Sequence, residues 1–291
     1  MSLLILGLCG QSVFLRVPHF HRPEETLHAT DLFTEPGGKG YNQAVAAARM
    51  GAQVVFAGAV GHDADGDACE KRLIDEQITP CMVRKEGRTA YAAILTDEAG
   101  ENRVTVFAGV QLHAADVSAL SPQFDAARML LITPEIPEDA FARAMDMAGE
   151  RGIPVVINPA PFKPWVKKYL PRAFCLTPNR SEACEMLSCT PDALENRISG
   201  ATYPRMIVTL GKSGALCAQN GVISLITAPP VQPLDTTGAG DCLSGVLCSR
   251  LLAGDSLEEA AKTGVAAASV SVTRAHVLDA MPFAAEILPL R

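Results

Sequence analysis

The sequence predicts an α/β fold with a mostly parallel central sheet and a small β-sheet lid. Three observations carry that expectation. Strand and helix patterns alternate regularly from about residue 129 to 210. The run Leu3-Leu4-Ile5-Leu6 is apolar without alternation, as in a strand buried on both faces. Two alternating segments, 89–96 and 103–108, flank Glu98-Ala99-Gly100-Glu101 as an antiparallel hairpin that interrupts the βα pattern. The economical organisation is a single domain over 1–291, with a lid formed by about 11–36 and 88–108.

In chain order, the first strand is expected over 3–8 and ends in Gly7-Leu8-Cys9-Gly10. Cys9 stands where a dinucleotide-binding G-x-G-x-x-G needs glycine, so that reading loses its support. Residues 13–36 break into short alternating pieces around Pro18, Pro23 and Pro36. A Gly-rich turn, Gly37-Gly38-Lys39-Gly40-Tyr41-Asn42, then precedes a small-residue helix through Ala44, Val45, Ala47 and Ala48 that closes at Gly51. The turn is not a Walker A loop, because Gly40 follows Lys39 where Ser or Thr is required. A strand at 53–60 and a helix at 65–77 come before the hairpin.

Strands at 129–133, 155–158, 175–177 and 206–210 alternate with helices at 138–150 and 181–187. Ligands of such sheets sit at the carboxyl ends of the strands, here marked by Glu135, Asn158, Asn179 with Glu182, and Thr209 with Gly211. Asn220-Gly221 centres a second hairpin, 215–219 with 222–227. A helix from close to Asp241 to near Gly254 follows, and Ser256-Leu257-Glu258-Glu259 is a capping box for a last long helix to about Thr273.

The stretch Asp235-Thr236-Thr237-Gly238-Ala239-Gly240-Asp241 is the densest candidate site. Helix N-terminal amides have no internal partner and carry the positive end of the dipole, so Ala239, Gly240 and Asp241 can present N–H groups to a phosphate. Asp241 alone reads as an ordinary N-terminal helix acid. The second acid, Asp235, with only threonines, glycines and an alanine between, suits a site better than a cap.

Composition narrows the partners. A formal charge of −7, with no basic run longer than Lys167-Lys168, argues against nucleic acid or an anionic membrane and for a small-molecule partner. No stretch approaches a membrane span, and residues 3–8 lack the length and basic flank of a signal peptide, so a cytoplasmic protein is expected. Nine scattered cysteines show no metal or paired spacing and read as free, mostly buried thiols; a nucleophilic Cys242 is not expected.

Two motifs, Gly37-Gly38-Lys39-Gly40-Tyr41-Asn42-Gln43-Ala44 and the 235–241 stretch, resemble the ribokinase branch of the PfkB carbohydrate kinases. Asn158-Pro159-Ala160-Pro161, Asn179-Arg180-Ser181-Glu182 as the family's N-x-x-E, and Thr209-Leu210-Gly211-Lys212-Ser213-Gly214 extend the resemblance over nearly the whole chain. It implies a ribokinase-like three-layer sandwich and an ATP- and Mg²⁺-dependent kinase that phosphorylates a primary hydroxyl of a small sugar. By position, Asp241 would be the base and Gly238, Ala239 and Gly240 the anion hole. Asn179, Thr209, Gly211 and Gly214 would line the ATP site, and Glu182 would hold Mg²⁺ through water. Asp235 and Thr237 would belong to a monovalent-cation site for K⁺.

The resemblance further implies that Gly10, Ser12, Gly38, Lys39, Tyr41, Asn42 and Glu135 form the sugar side, and that a homodimer assembles through the lid. This chain departs from the family on that side. Ser12 replaces the aspartate of the family's N-x-D, losing a charge-assisted pair of hydrogen bonds. Tyr41 replaces a small residue and is expected to reshape the pocket, while Arg274-Ala275-His276-Val277 lacks the glycine of the cation loop. The acceptor therefore stays open between a pentose, a hexose and a nucleoside. A sugar-binding regulator without turnover is the alternative from another class.

Overall fold

The computed structural model describes residues 2–99, 101–201 and 203–287. Gly100, in the expected hairpin turn, lies outside the described residues. The first half contains β1 (Ser2–Leu6), β2 (Gly10–Arg16), β3 (Asp31–Gly37), α1 (Lys39–Arg49), β4 (Gln53–Gly61), α2 (Ala64–Asp75), β5 (Thr79–Lys85), β6 (Ala90–Thr96), β7 (Asn102–Phe107), α3 (Ala114–Ala119), α4 (Ser121–Ala126) and β8 (Ala127–Ile132). The second half contains α5 (Glu138–Glu150), β9 (Val155–Ile157), β10 (Cys175–Leu176), α6 (Arg180–Leu187), α7 (Leu194–Ser199), β11 (Arg205–Thr209), β12 (Ala215–Gln219), β13 (Val222–Ile226), α8 (Ala239–Leu252), α9 (Leu257–Ser271) and α10 (Ala284–Ile287).

The large sheet runs β13-β12-β11-β10-β9-β8-β1-β4-β5. Its strands from β11 to β5 pair in parallel, and the β12–β13 hairpin attaches antiparallel. β1 shows why its sequence is apolar throughout. Leu3 and Ile5 enter the core shared with α1, α8 and α9, while Leu4 and Leu6 enter the core that includes α5. All four are fully buried, so alternation would place polar groups in one of two cores. The helices α1 and α8 pack closely because their contact is made of small residues. A Cβ on Gly245 would lie 2.3 Å from the Gln43 carbonyl oxygen.

The lid is a second sheet in the order β3-β2-β6-β7. β2 pairs antiparallel with β3 and parallel with β6, and β6 pairs antiparallel with β7, as the hairpin pattern predicts. Pro36 is accommodated because β3 is an edge strand.

Several elements differ from expectation. β5 escapes the pattern because it is an edge strand whose residues are half-exposed, without alternation. The short helices α3, α4 and α7 are too brief to show a helical period. α1 begins at Lys39 and not at Ala44, and α8 begins at Ala239, with Gly238 as its N-cap. The capping box at Ser256 forms as read, with Ser256 Oγ accepting from the Glu259 amide at 3.3 Å.

Candidate active site

The early start of α1 moves Lys39 and Asn42 from a loop onto the first turns of a helix. Gly38, at φ 126°, makes this possible: a Cβ there would sit 2.2 Å from the Leu8 carbonyl oxygen. The exposed amides of the new N-terminus find a carboxylate. Glu135 Oε2 accepts from the Lys39 amide at 2.8 Å and from the Gly40 amide at 3.4 Å, so this acid from the β8–α5 loop also complements the helix dipole. Burial pushes the Glu135 carboxyl up to about 7, opposed by the Lys39 ammonium and reinforced by the charge of Asp241.

Asp241 lies in the first turn of α8 and is 6% exposed. Both of its oxygens are engaged from α1: Oδ2 accepts from Asn42 Nδ2 at 2.9 Å and Oδ1 from Gln43 Nε2 at 3.0 Å. Burial raises its affinity for a proton, while Lys39 and these two amide donors favour the carboxylate. Asp241 in turn is the main reason that Lys39 holds its proton more tightly than usual.

Beside Asp241, Gly238 takes φ 76°, and a Cβ there would lie 2.5 Å from Val277 Cγ1. The first internal bond of α8 runs from the Cys242 amide to the Gly238 carbonyl, which leaves the Gly240 and Asp241 amides ahead of the ladder. Ala239 and Gly240 line a cavity of about 490 Å³ together with Thr209, Gly211 and Gly214. Three expected nucleotide-side residues and two expected anion-hole residues thus line one cavity. Leu243, Val265, Val272 and Pro230 supply apolar walls of the kind that a flat aromatic base requires.

Asn179 and Glu182 form a capping box at the start of α6. Asn179 Oδ1 accepts from the Glu182 amide at 2.9 Å, and Glu182 Oε2 accepts from the Asn179 amide at 2.8 Å. A bridge between Asn179 and Thr209 holds this corner against β11. Burial raises the Glu182 carboxyl, and both Lys39 and Asp241 act on it electrostatically, so it belongs to the same charged cluster. Asp235 Oδ1 accepts from the Thr237 amide at 2.8 Å, and the Asp235 amide donates to the Val272 carbonyl. Thr237 Oγ1 accepts from Asn102 Nδ2 of β7, so the lid touches this loop. His276, in the loop without the expected glycine, adopts φ 69° regardless.

On the acceptor side, Gly10 has no room for a side chain against Ala90, and Ser12 packs on Gly37. Tyr41 corrects an expectation. It is 0% exposed, its hydroxyl donates to the Cys69 carbonyl at 2.8 Å, and its ring meets Phe56 edge-on. With α1 starting at Lys39, Tyr41 faces the core and not the pocket. Two functional candidates went unassigned in the sequence. Gln43 was legible as a polar residue inside a small apolar run. Glu35, on β3, had no such signal; it is 5% exposed and accepts from the Val277 and Leu278 amides at 2.9 and 3.1 Å. All nine cysteines are free, and burial pushes the Cys242 thiol up to about 12, consistent with packing and not nucleophilic work.

A buried carboxylate beside bare helix amides offers a proton acceptor and an anion cradle together, the pair that phosphoryl transfer to a hydroxyl requires. On an α/β body with a sheet lid, it defines a small-molecule phosphotransferase. The family model for pfkB carbohydrate kinases matches residues 2–284. The chain is 31% identical to the ribokinase of Haemophilus influenzae over 298 residues, covering 99% of this chain and 97% of that protein. It is 32% identical to that of Bacillus subtilis, covering 98% of each. The ribokinase structure from Giardia lamblia superposes with a TM-score of 0.91 at 24% identity, over 100% of this chain and 99% of that one. The ribokinase of Cryptococcus neoformans in complex with ADP superposes with a TM-score of 0.84 at 27% identity, over 100% and 99%.

The chain belongs to the pfkB family of carbohydrate kinases. It is a ribokinase-like, ATP-dependent sugar kinase. Among the described residues, no helix is long and apolar enough to cross a membrane.

Proposed function

We propose that the chain transfers the γ-phosphoryl group of ATP to a primary hydroxyl of a ribose-like sugar. The observation that carries this reading is Asp241, desolvated and held by two amide donors at the N-terminus of α8. Asp241 takes the proton of the attacking hydroxyl, a contribution of about 10²- to 10⁴-fold. Gly238, Ala239 and Gly240 shape the cradle for the transferring phosphoryl group, and the Gly240 and Asp241 amides, which have no partner within the helix, donate to it without reorganisation. Lys39 and Asn42 lie beside the base and orient the acceptor, Glu135 fixes the helix that carries them, and Gly10, Ser12 and Gly38 complete the sugar side. Asn179, Thr209, Gly211 and Gly214 form the nucleotide corner.

No cluster of three or more His, Cys, Asp or Glu that could hold a metal occurs among the described residues. Glu182, which shares a charged cluster with Lys39 and Asp241, fits Mg²⁺ bound mainly by phosphates and water. When bound, the ion neutralises phosphate charge. Asp235 and Thr237, with the Asp235 amide tied to Val272 four residues before the left-handed His276, fit a K⁺ site. The protein acts in the cytoplasm as a single kinase unit over 1–291, with its lid formed by about 11–36 and 88–108.

The test is ADP release across a panel of pentoses, hexoses and nucleosides, with K⁺ or Na⁺ present. Ribose or a close pentose is expected to give the highest kcat/KM, and K⁺ to raise kcat. In the same assay, Asp241→Asn should lose about 10²-fold or more of turnover while retaining ATP-analogue affinity. Binding of a sugar without ADP release by the wild type would overturn the kinase reading in favour of a silent regulator.

A further inference from the structure

We infer that Gln43 is a positioning residue for the catalytic base, and that its orientation is imposed from β9 and β10 through Asn158 and Thr177. This rests on the reading of Asp241 as the base. The argument begins at a group with no freedom of role, the Thr177 backbone carbonyl, which only accepts. Asn158 Nδ2 donates to it at 2.6 Å, which fixes the flip of the Asn158 amide. Asn158 Oδ1 must then face the other way and accepts from Gln43 Nε2 at 3.0 Å. Gln43 therefore presents its NH₂ group, and not its carbonyl, to Asp241, and the second N–H bonds Oδ1 at 3.0 Å. Reversing the Gln43 amide would set oxygen against oxygen at both of its contacts, and reversing the Asn158 amide would set oxygen against oxygen at Thr177 and nitrogen against nitrogen at Gln43.

Asn158 and Thr177 are both nearly fully buried, and Gln43 is 0% exposed, so water does not compete for these bonds. The loop closes through α8 itself: Ser244 Oγ is 2.9 Å from both Thr177 Oγ1 and the Gly240 carbonyl oxygen. The base, the anion cradle and the ends of β9 and β10 are thus one hydrogen-bonded unit. Gln43 Oε1 is left buried without a partner, a cost in stability that the orientation of its amide nitrogen offsets at the base.

In this arrangement Gln43 does two things. It fixes the plane of the Asp241 carboxylate, and with Lys39 and Asn42 it favours the charged form against burial. Each carboxylate oxygen has two acceptor sites, so the bonds from Asn42 and Gln43 leave capacity for the sugar proton.

The test uses Gln43→Met, close in length and unable to donate, and Asn158→Leu, which frees the amide of Gln43 to turn. The pH dependence of kcat is measured with the best acceptor of the panel. The Asp241 carboxyl is titrated without substrate by ¹³C NMR, its signal assigned by its loss in Asp241→Asn. Gln43→Met should lower kcat about tenfold and move the acidic limb of kcat and the Asp241 titration upward together by about one pH unit, the effect of losing one bond to a charged group. KM for ATP should stay within about twofold. Asn158→Leu should shift both in the same direction by less.

If folded Gln43→Met, judged by near-UV circular dichroism, leaves the limb and the titration unmoved, the inference is wrong. It is also wrong if the loss falls on KM for ATP alone. Should Gln43→Met not fold, Asn158→Leu decides by the same two readouts. Retained turnover in Asp241→Asn would instead remove the base reading, while the carboxyl titration would still report whether Gln43 sets the ionisation of Asp241.

Discussion

Ser12 and Glu35 face each other across β2 and β3 in direct register, and this pairing determines what a change at Ser12 can achieve. Paired residues share one face of the sheet, where like charges repel. Glu35 already places a carboxyl on that face, charged once pH rises through about 7, so at pH 8 an aspartate at position 12 would meet a like charge. The expected outcome is that Ser12→Asp alone changes kcat/KM for ribose little, whereas Ser12→Asp with Glu35→Gln raises it about tenfold, the worth of one charge-assisted hydrogen bond. Steady-state kinetics on the three variants decides. An equal gain without the second substitution would remove the role given to Glu35. A motif fixes both identity and spacing at Asp241, and the fold places that residue against Asn42 and Gln43 of α1. Reading single residues from sequence failed at Tyr41 because the face a helical residue presents depends on where the helix begins, and Gly38 starts α1 earlier than the apolar pattern shows.

At the level of elements, β3 ties the lid to the body through Glu35, whose oxygens accept from two successive amides of the 277–278 segment. Phe33 on the same strand stacks on His276 with centroids 3.5 Å apart. Burial pushes the Glu35 carboxyl up to about 7; the two amides and Arg72 oppose the shift and Asp279 reinforces it. The folded protein therefore keeps a proton that the unfolded chain has released once pH passes about 4.5. Stability from this group is complete below that value and is lost as pH rises through about 7, an effect on the order of 3 kcal/mol for a shift of this size. Glu135 acts in the same direction. Thermal unfolding between pH 5 and 8 should accordingly show a falling Tm in the wild type and a distinctly shallower fall in Glu35→Gln; parallel curves would contradict the assignment. The regular βα units were legible because both their period and their length are distinctive. β5 and the short helices were not, since an edge strand with half-exposed residues and a helix of six residues carry neither signal.

For the whole molecule, the lid presents more apolar surface than a free sheet should. Leu32, Tyr91, Val104, Val106 and Phe107 are exposed, and every residue of β7 faces solvent along an unpaired edge. Such surface suits a second copy of the lid, the homodimer that the family resemblance implies. Val106→Arg combined with Phe107→Arg, which charges both faces of that edge, should convert dimer to monomer in sedimentation velocity. A wild type that sediments as a monomer at all concentrations would refute that expectation. The sequence made the body and lid legible together, because a hairpin standing inside a βα series has few other places to go. It could not show which lid face meets the body, since β2 and β6 carry apolar residues on both.

The contact between α1 and α8 has a consequence for how such an enzyme can change. Gly245 lets the two helices approach until nothing fits between them, and along that seam lie the base and the amides that hold it. The lid residues Ser12 and Glu35 sit on a separate sheet, joined to the seam through the turn that starts α1. A lineage could therefore exchange one sugar for another by altering strand positions at the lid while inheriting the phosphoryl-transfer machinery intact. A side chain added at Gly245, one helical turn beyond Asp241, would part the helices and silence every acceptor at once.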